Sequence, residues 1–293
     1  MTRAQASLTG FGAVMLWSLL AVLTVRSAPV PPLLLNTLTF AIGGAVGMVW
    51  ILATGSVQQL RGIGWRVYAF GTVGLFGYHF LYFSALRLAP AAEAGLICYL
   101  WPLLIVLFSG LMPGERLTFF HVAGALLSFI GTAILIAGNG LTLPQGSALT
   151  GFALALLAAL TWALYSTLSR RLGRIPTASV AVFCLLTSAL SGAFHLMLEP
   201  TVWPADAAGW ASVAALGLGP VGLAFYVWDI GMKRGDIQLL GVASYAAPLL
   251  STLVLVVAGV AAPSARLALA ALLVTAGAAL AAFSSARVRA RSN

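Results

Sequence analysis

Apolar residues occur along this chain in ten runs of about twenty, separated by short breaks that are polar or rich in proline and glycine. A helix of about 20 apolar residues crosses a ~30 Å hydrocarbon core. Helices are required because unpaired backbone groups are intolerable in hydrocarbon, and the alternation of a β-barrel strand is absent. The predicted spans are 8–25, 31–53, 66–87, 90–112, 119–138, 148–169, 177–198, 209–231, 237–259 and 265–286.

The amino-acid composition excludes some classes of protein. Of the 293 residues, 61% are hydrophobic and 7% are charged, and the mean hydropathy is +1.04. These values exclude an ordinary globular domain. Because the ten runs use almost the whole chain, no segment remains for a soluble catalytic or nucleotide-binding domain. The chain is therefore predicted to be an all-α polytopic membrane protein.

The basic residues are distributed unequally between the two ends of the predicted spans. With the N-terminus in the cytoplasm, only three of the 15 lysines and arginines, namely Arg26, Arg87 and Arg266, fall in outer segments. Cytoplasmic loops of membrane proteins carry such an excess of basic residues. We expect a multi-pass membrane protein with both termini cytoplasmic. No basic run with interleaved aromatics faces water, so nucleic acid is not an expected partner.

The chain matches itself at a shift of about 146 residues. The segment Gly95–Leu104 aligns without gaps on Gly241–Leu250, and both contain the pattern Tyr-x-x-Pro-Leu-Leu. Further pairs of aligned residues are Tyr82 with Trp228, Arg87 with Lys233 and, at a shift of 145, Trp17 with Trp162.

The repeat divides the ten predicted helices into two halves of five, residues 1–143 and 144–293. Five is an odd number, so the second half enters the membrane from the opposite side. The predicted fold is therefore ten transmembrane helices in two inverted five-helix repeats, and the usual consequence is a site at mid-membrane between the halves.

Aromatic residues with polar groups lie where they are not expected. Trp and Tyr normally collect at the two membrane–water interfaces. By the predicted spans, eight instead lie within about a turn of mid-depth. They are Trp17, Tyr78, Tyr82, Tyr99, Trp101, Trp162, Tyr165 and Tyr245. Interhelical packing with local hydrogen bonds is one interpretation. An aromatic-lined cavity is the other, and the convergence of five helices on one depth favours it.

Three further residues at this depth have two interpretations each. Pro102 and Pro248 remove the helical hydrogen bonds to the carbonyls of Cys98 and Ser244. Such carbonyls could accept from a substrate ammonium group, or the prolines could simply kink the helices. His79, a rare ionisable group inside a span, is either a hydrogen-bonded structural residue or a proton carrier.

Several classes of function are disfavoured by what the chain lacks. Its one lysine, Lys233, precedes Arg234, so no phosphate-binding Walker sequence exists. No cofactor is expected, and neither Cys98 nor Cys184 belongs to a metal-binding cluster. An intramembrane enzyme would need a nucleophile motif, and Ser191-Gly192 supplies no oxyanion loop. What remains is a transporter of a neutral, zwitterionic or amphipathic small molecule, which includes amphipathic metabolites and drugs, and the alternative is a structural membrane protein.

Short strings in the chain resemble a known family. They are LWS (Leu16–Ser18), YLWP (Tyr99–Pro102), PGERLT (Pro113–Thr118), TWALYS (Thr161–Ser166), FYVWDIG (Phe225–Gly231) and SYAAPLLS (Ser244–Ser251). The pattern resembles the drug/metabolite transporter superfamily and, within it, the bacterial exporters of aromatic amino acids. The resemblance implies export of aromatic and other bulky uncharged amino acids across the bacterial cell inner membrane by alternating access.

The chain departs from the family pattern at two places. The second half has PSARL (Pro263–Leu267) where a Gly-Glu would be expected, and Asp229 places a charge within a helix. Since Lys233 follows Asp229 by four residues, an ion pair at the inner end is expected.

These observations define a predicted site and its partners. The predicted substrate-binding residues are Trp17, Tyr78, His79, Tyr82, Tyr99, Trp101, Pro102, Trp162, Tyr165, Ser244, Tyr245 and Pro248. The expected partners are a small amino-acid substrate and the lipid bilayer, and the chain is expected to be a monomer or a weak homo-oligomer. Proton coupling and facilitated passage both stay open.

Overall fold

We describe a computed structural model of the protein, which covers residues 1–137, 148–172, 175–257 and 262–290. The regular structure of these residues is helical. The α-helices are α1 (Arg3–Trp17), α2 (Leu20–Arg26), α3 (Pro32–Ala53), α4 (Trp65–Thr72), α5 (Tyr78–Leu88), α6 (Ala91–Cys98), α7 (Trp101–Ser109), α8 (Phe119–Ala137), α9 (Ala148–Ser169), α10 (Ser179–Leu198), α11 (Ala207–Leu218), α12 (Ala224–Arg234), α13 (Ile237–Ala243), α14 (Ala246–Val257) and α15 (Ala265–Ala290).

Nine helical stretches in the described part of the chain are long and apolar enough to cross a membrane. They are Arg3–Arg26, Pro32–Ala53, Trp65–Leu88, Phe119–Ala137, Ala148–Leu172, Ser179–Leu198, Ala207–Arg234, Ile237–Val254 and Ala265–Val288. Large apolar side chains such as Leu8, Phe119 and Leu272 are exposed on the outside of the bundle. In a membrane these side chains face lipid, so the chain forms a multi-pass membrane protein.

The fourth predicted span, 90–112, differs from the other nine. The structure has there a shorter apolar stretch, Glu93–Ser109, interrupted between α6 and α7. Pro102 stands in the first turn of α7, where its missing N–H costs no hydrogen bond, and the helix restarts at that point. The predicted boundary between the halves, at residues 143 and 144, lies outside the described residues.

Four interruptions of the helices form two pairs at the spacing of the sequence repeat. A break separates α6 from α7 at Tyr99, and another separates α13 from α14 at Tyr245. A π-helical segment, Val73–Gly77, joins α4 to α5, and a second, Gly219–Leu223, joins α11 to α12. Wide turns of this kind frequently mark functional positions in helices.

Glycines allow the backbones of distant helices to touch. A Cβ atom on Gly10 of α1 would lie 2.8 Å from the Cα of Gly231 in α12. A Cβ on Gly124 of α8 would lie 2.5 Å from the carbonyl oxygen of Gly277 in α15. Since van der Waals packing drives helix association in lipid, such close approach is a main source of attraction. The helix pairs α1–α12 and α8–α15 each join the first part of the chain to the second.

The first turn of α1 and the last turns of α15 lie at the same end of the bundle. Arg3 in the first turn of α1 and Val288 in the last turns of α15 line one small cavity, together with Glu115 and Asp236. We call this end the terminal face and the other end the opposite face. The terminal face is thus also formed by the segment between α7 and α8 and by the segment between α12 and α13.

Candidate functional site

Seven of the predicted site residues form one continuous cluster of rings in the centre of the bundle. Trp162 of α9 is its hub, with ring centroids 5.8 Å from Trp17, 6.2 Å from Trp101 and 5.3 Å from Tyr78. The remaining members are His79, Tyr82 and Tyr165. Helices α1, α5, α7 and α9 therefore meet through aromatic side chains.

Other aromatic residues that sequence reasoning missed belong to the same cluster, among them Trp228, Phe40 and Phe225. Trp228 lies 5.1 Å from Trp17, and Phe40 stacks on Phe225 at 5.4 Å and meets His79 edge-on at 5.1 Å. The sequence repeat could have identified Trp228, because this residue aligns with Tyr82 at the shift of 146. Phe40 had no comparable signal.

Burial within the cluster changes from one face towards the other. Trp162 and Trp228 are 3% and 1% exposed, and their helices α9 and α12 end at the terminal face. Tyr78 and Tyr82 are only half-buried, and their helix α5 runs on to the opposite face at Arg87. A central side chain that keeps accessible surface borders open space. The cluster is therefore closed towards the terminal face and more open towards the opposite face.

Hydrogen bonds fix the orientation of several rings. The Trp17 indole N–H donates to the carbonyl of Pro220 at 3.1 Å, and the Trp228 indole N–H donates to the hydroxyl of Ser166 at 3.1 Å. The Nδ1 atom of His79 lies 2.7 Å from the carbonyl oxygen of Leu75. A carbonyl only accepts, so Nδ1 carries the proton and Nε2 of the neutral ring is left as an acceptor.

The polar groups of Ser244, at the break between α13 and α14, are hydrogen-bonded to residues of the same segment. The hydroxyl of Ser244 donates to the carbonyl of Leu240 at 2.7 Å, and the carbonyl of Ser244 accepts from the N–H of Ala247 at 3.1 Å. The Ser244 carbonyl that the sequence predicted to be freed by Pro248 is therefore already bonded. Pro248 is half-buried and accepts from the hydroxyl of Thr252.

Tyr245 and Tyr99 lie beside the ring cluster and not within it. Tyr245 is fully buried, its ring lies 6.0 Å from Phe129, and its hydroxyl accepts from the N–H of Leu103 at 3.2 Å. Tyr99 is half-buried and packs against the same group of residues. Pro102 is buried beside them. Tyr245 thus connects the second break to the first.

Charged residues from four segments close the terminal face. Glu115, with a side chain 4% exposed, accepts from Arg3 at 2.9 Å and from Arg170. Arg170 also donates to the carbonyl of Gly235 at 3.0 Å, and Asp236 lies 3.7 Å from Arg3. We call Arg3, Glu115, Arg170 and Asp236 the terminal-face network. Sequence reasoning missed it because its members come from distant segments.

Two other charged groups lie at the helix ends. The expected pair of Asp229 and Lys233 is confirmed at 2.8 Å, and both side chains are buried. At the opposite face, Glu199 accepts from Arg87 and from the N–H of Leu33 at 2.9 Å. A carboxylate is stabilised at the N-terminus of a helix, here α3. Within the described ranges, no group of three or more His, Cys, Asp or Glu could hold a metal ion.

Comparison with known proteins gives consistent matches. The model of the EamA-like transporter family matches the chain twice, over residues 5–137 and 149–283. The aromatic amino acid exporter YddG of Ancylobacter novellus is 56% identical over 284 residues, which are 96% of this chain and 98% of that protein. The exporter of the same name from Escherichia coli is 28% identical over 86% of this chain and 88% of its own length.

A solved crystal structure has the same fold. It is 55% identical, superposes with a TM-score of 0.94, and the match covers 98% of this chain and 99% of that one.

Proposed function

Because the chain belongs to the EamA-like transporter family, we propose that it exports amino acids, especially aromatic and other bulky uncharged ones, by alternating access through the central ring cluster. It is a transporter and not an enzyme. The 56% identical relative carries the name of an aromatic amino acid exporter. The single structural observation that supports this proposal is the cluster of aromatic rings that keeps accessible surface at Tyr78, His79 and Tyr82.

The chemistry of the cluster suits an aromatic zwitterion. A substrate ring that stacks on Tyr78 or Trp162 gains about 0.5–1.5 kcal/mol for each aromatic contact beyond the burial of its area. The substrate ammonium is attracted to the faces of the same rings. The proposed substrate-binding residues are Trp17, Tyr78, His79, Tyr82, Tyr99, Trp101, Pro102, Trp162, Tyr165, Ser244, Tyr245 and Pro248, to which Trp228, Phe225 and Phe40 are added.

We further propose that ten helices form two inverted repeats of five. The double match of the family model supports this arrangement, and so do the paired breaks and the paired π-helical segments. The stretch Glu93–Ser109 is then a tenth, interrupted span. By the distribution of basic residues, the terminal face lies in the cytoplasm and the opposite face lies outside the inner membrane.

In this proposal the structure represents one of two alternating states. The buried tryptophans and the terminal-face network close the route to the cytoplasm, while Tyr78 and Tyr82 border the route outwards. Opening towards the cytoplasm requires that Glu115 separate from Arg3 or Arg170. The two halves would rock against each other around the ring cluster, as in other transporters with inverted repeats.

Flux measurement in proteoliposomes tests the proposal. Tyr78→Ala, Tyr82→Ala and Trp101→Ala are each compared with Phe119→Ala, whose ring is 78% exposed on the outside of the bundle. We expect labelled phenylalanine flux to fall in the three central variants and to persist in the control. Unchanged flux in all three at equal reconstitution would show that the site is elsewhere.

A competition panel defines the substrate class. Unlabelled aromatic, aliphatic and charged amino acids, together with amphipathic drugs, compete against labelled phenylalanine. We expect aromatic amino acids to compete best, followed by other bulky uncharged ones. Stronger competition by non-amino-acid amphiphiles would favour the alternative function of a drug or metabolite exporter.

A further inference from the structure

The small cavity at the terminal face contains two buried hydrogen-bond donors that lack a protein acceptor. The Nε atom of Arg3 and the side-chain amide nitrogen of Gln238 are buried, and neither has a hydrogen-bond partner among the described residues. Gln238 is 2% exposed, and it lines the cavity together with Arg3. Burying a donor without an acceptor is costly, so two such donors at one cavity indicate a bound ligand that accepts hydrogen bonds.

The two carboxylates at this cavity are engaged with other donors. Glu115 accepts from the terminal nitrogens of Arg3 and Arg170. The Oδ1 atom of Asp236 accepts from the N–H of Leu239 at 3.0 Å, as the cap of α13. Neither carboxylate therefore satisfies the Nε atom of Arg3 or the amide nitrogen of Gln238.

His121, which also lines the cavity, supplies no acceptor either. Its Nδ1 atom accepts from the N–H of Thr118 at 3.3 Å, so the proton of the neutral ring is on Nε2. The Nε2 atom lies 3.2 Å from the hydroxyl oxygen of Ser285, to which it donates. Both ring nitrogens are thus occupied, and the acceptor for the two buried donors has to be a ligand.

The charges around the cavity favour an anion as this ligand. The side chains that line the cavity or pair with its lining carry three positive charges, on Arg3, Arg116 and Arg170, against two negative charges, on Glu115 and Asp236. Helices α1 and α8 also begin at the cavity, and the partial positive charge of a helix N-terminus attracts anions. The excess of positive charge and the two donors without acceptors therefore point to the same class of ligand.

We propose that this cavity binds a phosphate group, which is either inorganic phosphate or the headgroup phosphate of an anionic lipid. The ligand oxygens accept from the Nε atom of Arg3, the amide nitrogen of Gln238 and the guanidinium of Arg116, which is exposed beside the cavity. The cavity holds about 410 Å³, part of it open to solvent, which accommodates a tetrahedral phosphate. Basic pockets between membrane helices on the cytoplasmic side bind headgroups of this chemistry.

A phosphate at this position links three segments of the terminal face. Arg3 belongs to α1, Arg116 to the segment between α7 and α8, and Gln238 to α13. The binding itself does not depend on transport. Its effect on flux rests on the proposed function, since these segments separate only if the terminal face opens during transport. A bound phosphate then holds the terminal face closed and slows the passage of the substrate.

Equilibrium dialysis with isotopically labelled inorganic phosphate tests the site. The full-length protein in detergent is compared with Gln238→Leu, which removes the amide donor, and with Arg116→Gln, which removes an exposed charge. Gln59→Leu and Arg61→Gln are the matched controls, because both residues are exposed in the segment between α3 and α4. The ionic strength is held constant with chloride, so that screening of the terminal-face network does not change.

We expect saturable binding to the unmodified chain, with the Kd for phosphate raised about tenfold or more in Gln238→Leu and in Arg116→Gln. The two controls should bind as the unmodified chain does. Absence of saturable binding, or an equal Kd in variants and controls, would overturn the proposal. If Gln238→Leu does not fold, Arg116→Gln decides alone, because its side chain is exposed.

The source of the phosphate is identified by competition. Unmodified chain is reconstituted in nanodiscs of phosphatidylcholine alone or of phosphatidylcholine with phosphatidylglycerol, and labelled phosphate is added. Loss of phosphate binding only in the discs with phosphatidylglycerol assigns the site to a lipid headgroup, and equal binding in both assigns it to free phosphate. Displacement by phenylalanine at lower concentration than by unlabelled phosphate would show a carboxylate site and refute the phosphate class.

Flux measurement separates the site from the proposed function. Phosphate is added at the terminal face of proteoliposomes of phosphatidylcholine, and labelled phenylalanine flux is expected to fall in the unmodified chain and in Gln59→Leu. Flux in Gln238→Leu is expected to respond only at about tenfold or more higher phosphate. If phosphate binds but flux does not respond to it, closure by phosphate is refuted. If phosphate binds and phenylalanine does not cross under any condition, the site stands and the proposed substrate is wrong.

Discussion

The indole nitrogen of Trp17 donates a 3.1 Å hydrogen bond to the carbonyl of Pro220. The acceptor lies in the π-helical segment Gly219–Leu223, and the donor lies at the end of α1, where that helix is interrupted before α2. The bond therefore ties a break in one helix to a wide turn in another, directly beside the ring cluster.

Loss of this bond is expected to slow transport. Trp17→Phe retains an aromatic ring but leaves the Pro220 carbonyl without its donor, and one hydrogen bond contributes about 0.5–1.5 kcal/mol. We expect phenylalanine flux in proteoliposomes to fall about twofold to tenfold. Trp210→Phe is the control, since Trp210 stacks on Trp203 outside the ring cluster. Flux equal to that of the unmodified chain would contradict a role for the bond.

The backbone contact between α8 and α15 predicts a stability effect. The added methyl in Gly124→Ala would press on the carbonyl of Gly277, and overpacking of this kind costs about 1–3 kcal/mol. We expect a lower Tm in detergent. Gly95→Ala is the matched control, because a Cβ there would have no atom within 4 Å beyond its chain neighbours and the backbone of its own helix. An equal Tm for both variants would mean that the two helices separate easily.

The terminal-face network predicts a salt-dependent effect. Glu115→Gln keeps the shape of the side chain but removes the charge that pairs with Arg3 and Arg170, and a hydrogen bond to a charged group contributes about 1.5–3 kcal/mol. We expect Tm to fall at low salt. The difference from the unmodified chain should shrink at high salt, because Arg3 is partly exposed and its charge is screened.

The control for this variant is Arg61→Gln, which removes an exposed charge outside the network. Its Tm is expected to match that of the unmodified chain at both salt concentrations. A fall in Arg61→Gln as large as that in Glu115→Gln would attribute the effect to net charge instead of to the network.

The composition of the ring cluster predicts facilitated passage. The cluster, as far as the structure describes it, contains no carboxylate, and the Nδ1 proton of His79 is committed to the carbonyl of Leu75. We expect an imposed pH gradient to change phenylalanine flux by less than about twofold, which corresponds to less than 0.5 kcal/mol of driving force. The same response is expected in His79→Gln. A strong dependence that disappears in His79→Gln would instead establish proton coupling through this residue.

The sequence predicted those features that depend on local pattern. Nine of the predicted spans correspond to helices of sufficient length, because runs of apolar residues determine membrane helices directly. The fourth span corresponds to the shorter apolar stretch Glu93–Ser109, and hydropathy alone did not register the break ahead of Pro102. The aromatic residues at mid-depth were identifiable because tryptophan and tyrosine are unusual there.

Other features of the site depend on contacts that no local pattern encodes. Phe40 joins the cluster only because α3 packs beside α12, and Glu115 meets Arg170 only because the bundle closes. The Ser244 carbonyl was expected to be free from the position of Pro248 alone. Its bond to the N–H of Ala247 arises from the tight turn that starts α14.

The glycine contacts that join α1 to α12 and α8 to α15 also constrain how the protein is made. A ribosome delivers α8 to the membrane long before α15 has been synthesised, so the surface around Gly124 first meets lipid. That surface finds its final neighbour only when the last helix emerges. Until α15 is inserted, the early helices therefore lack one of their packing partners. A chain truncated before α15 would leave the surface around Gly124 unpacked and accessible to quality-control proteases.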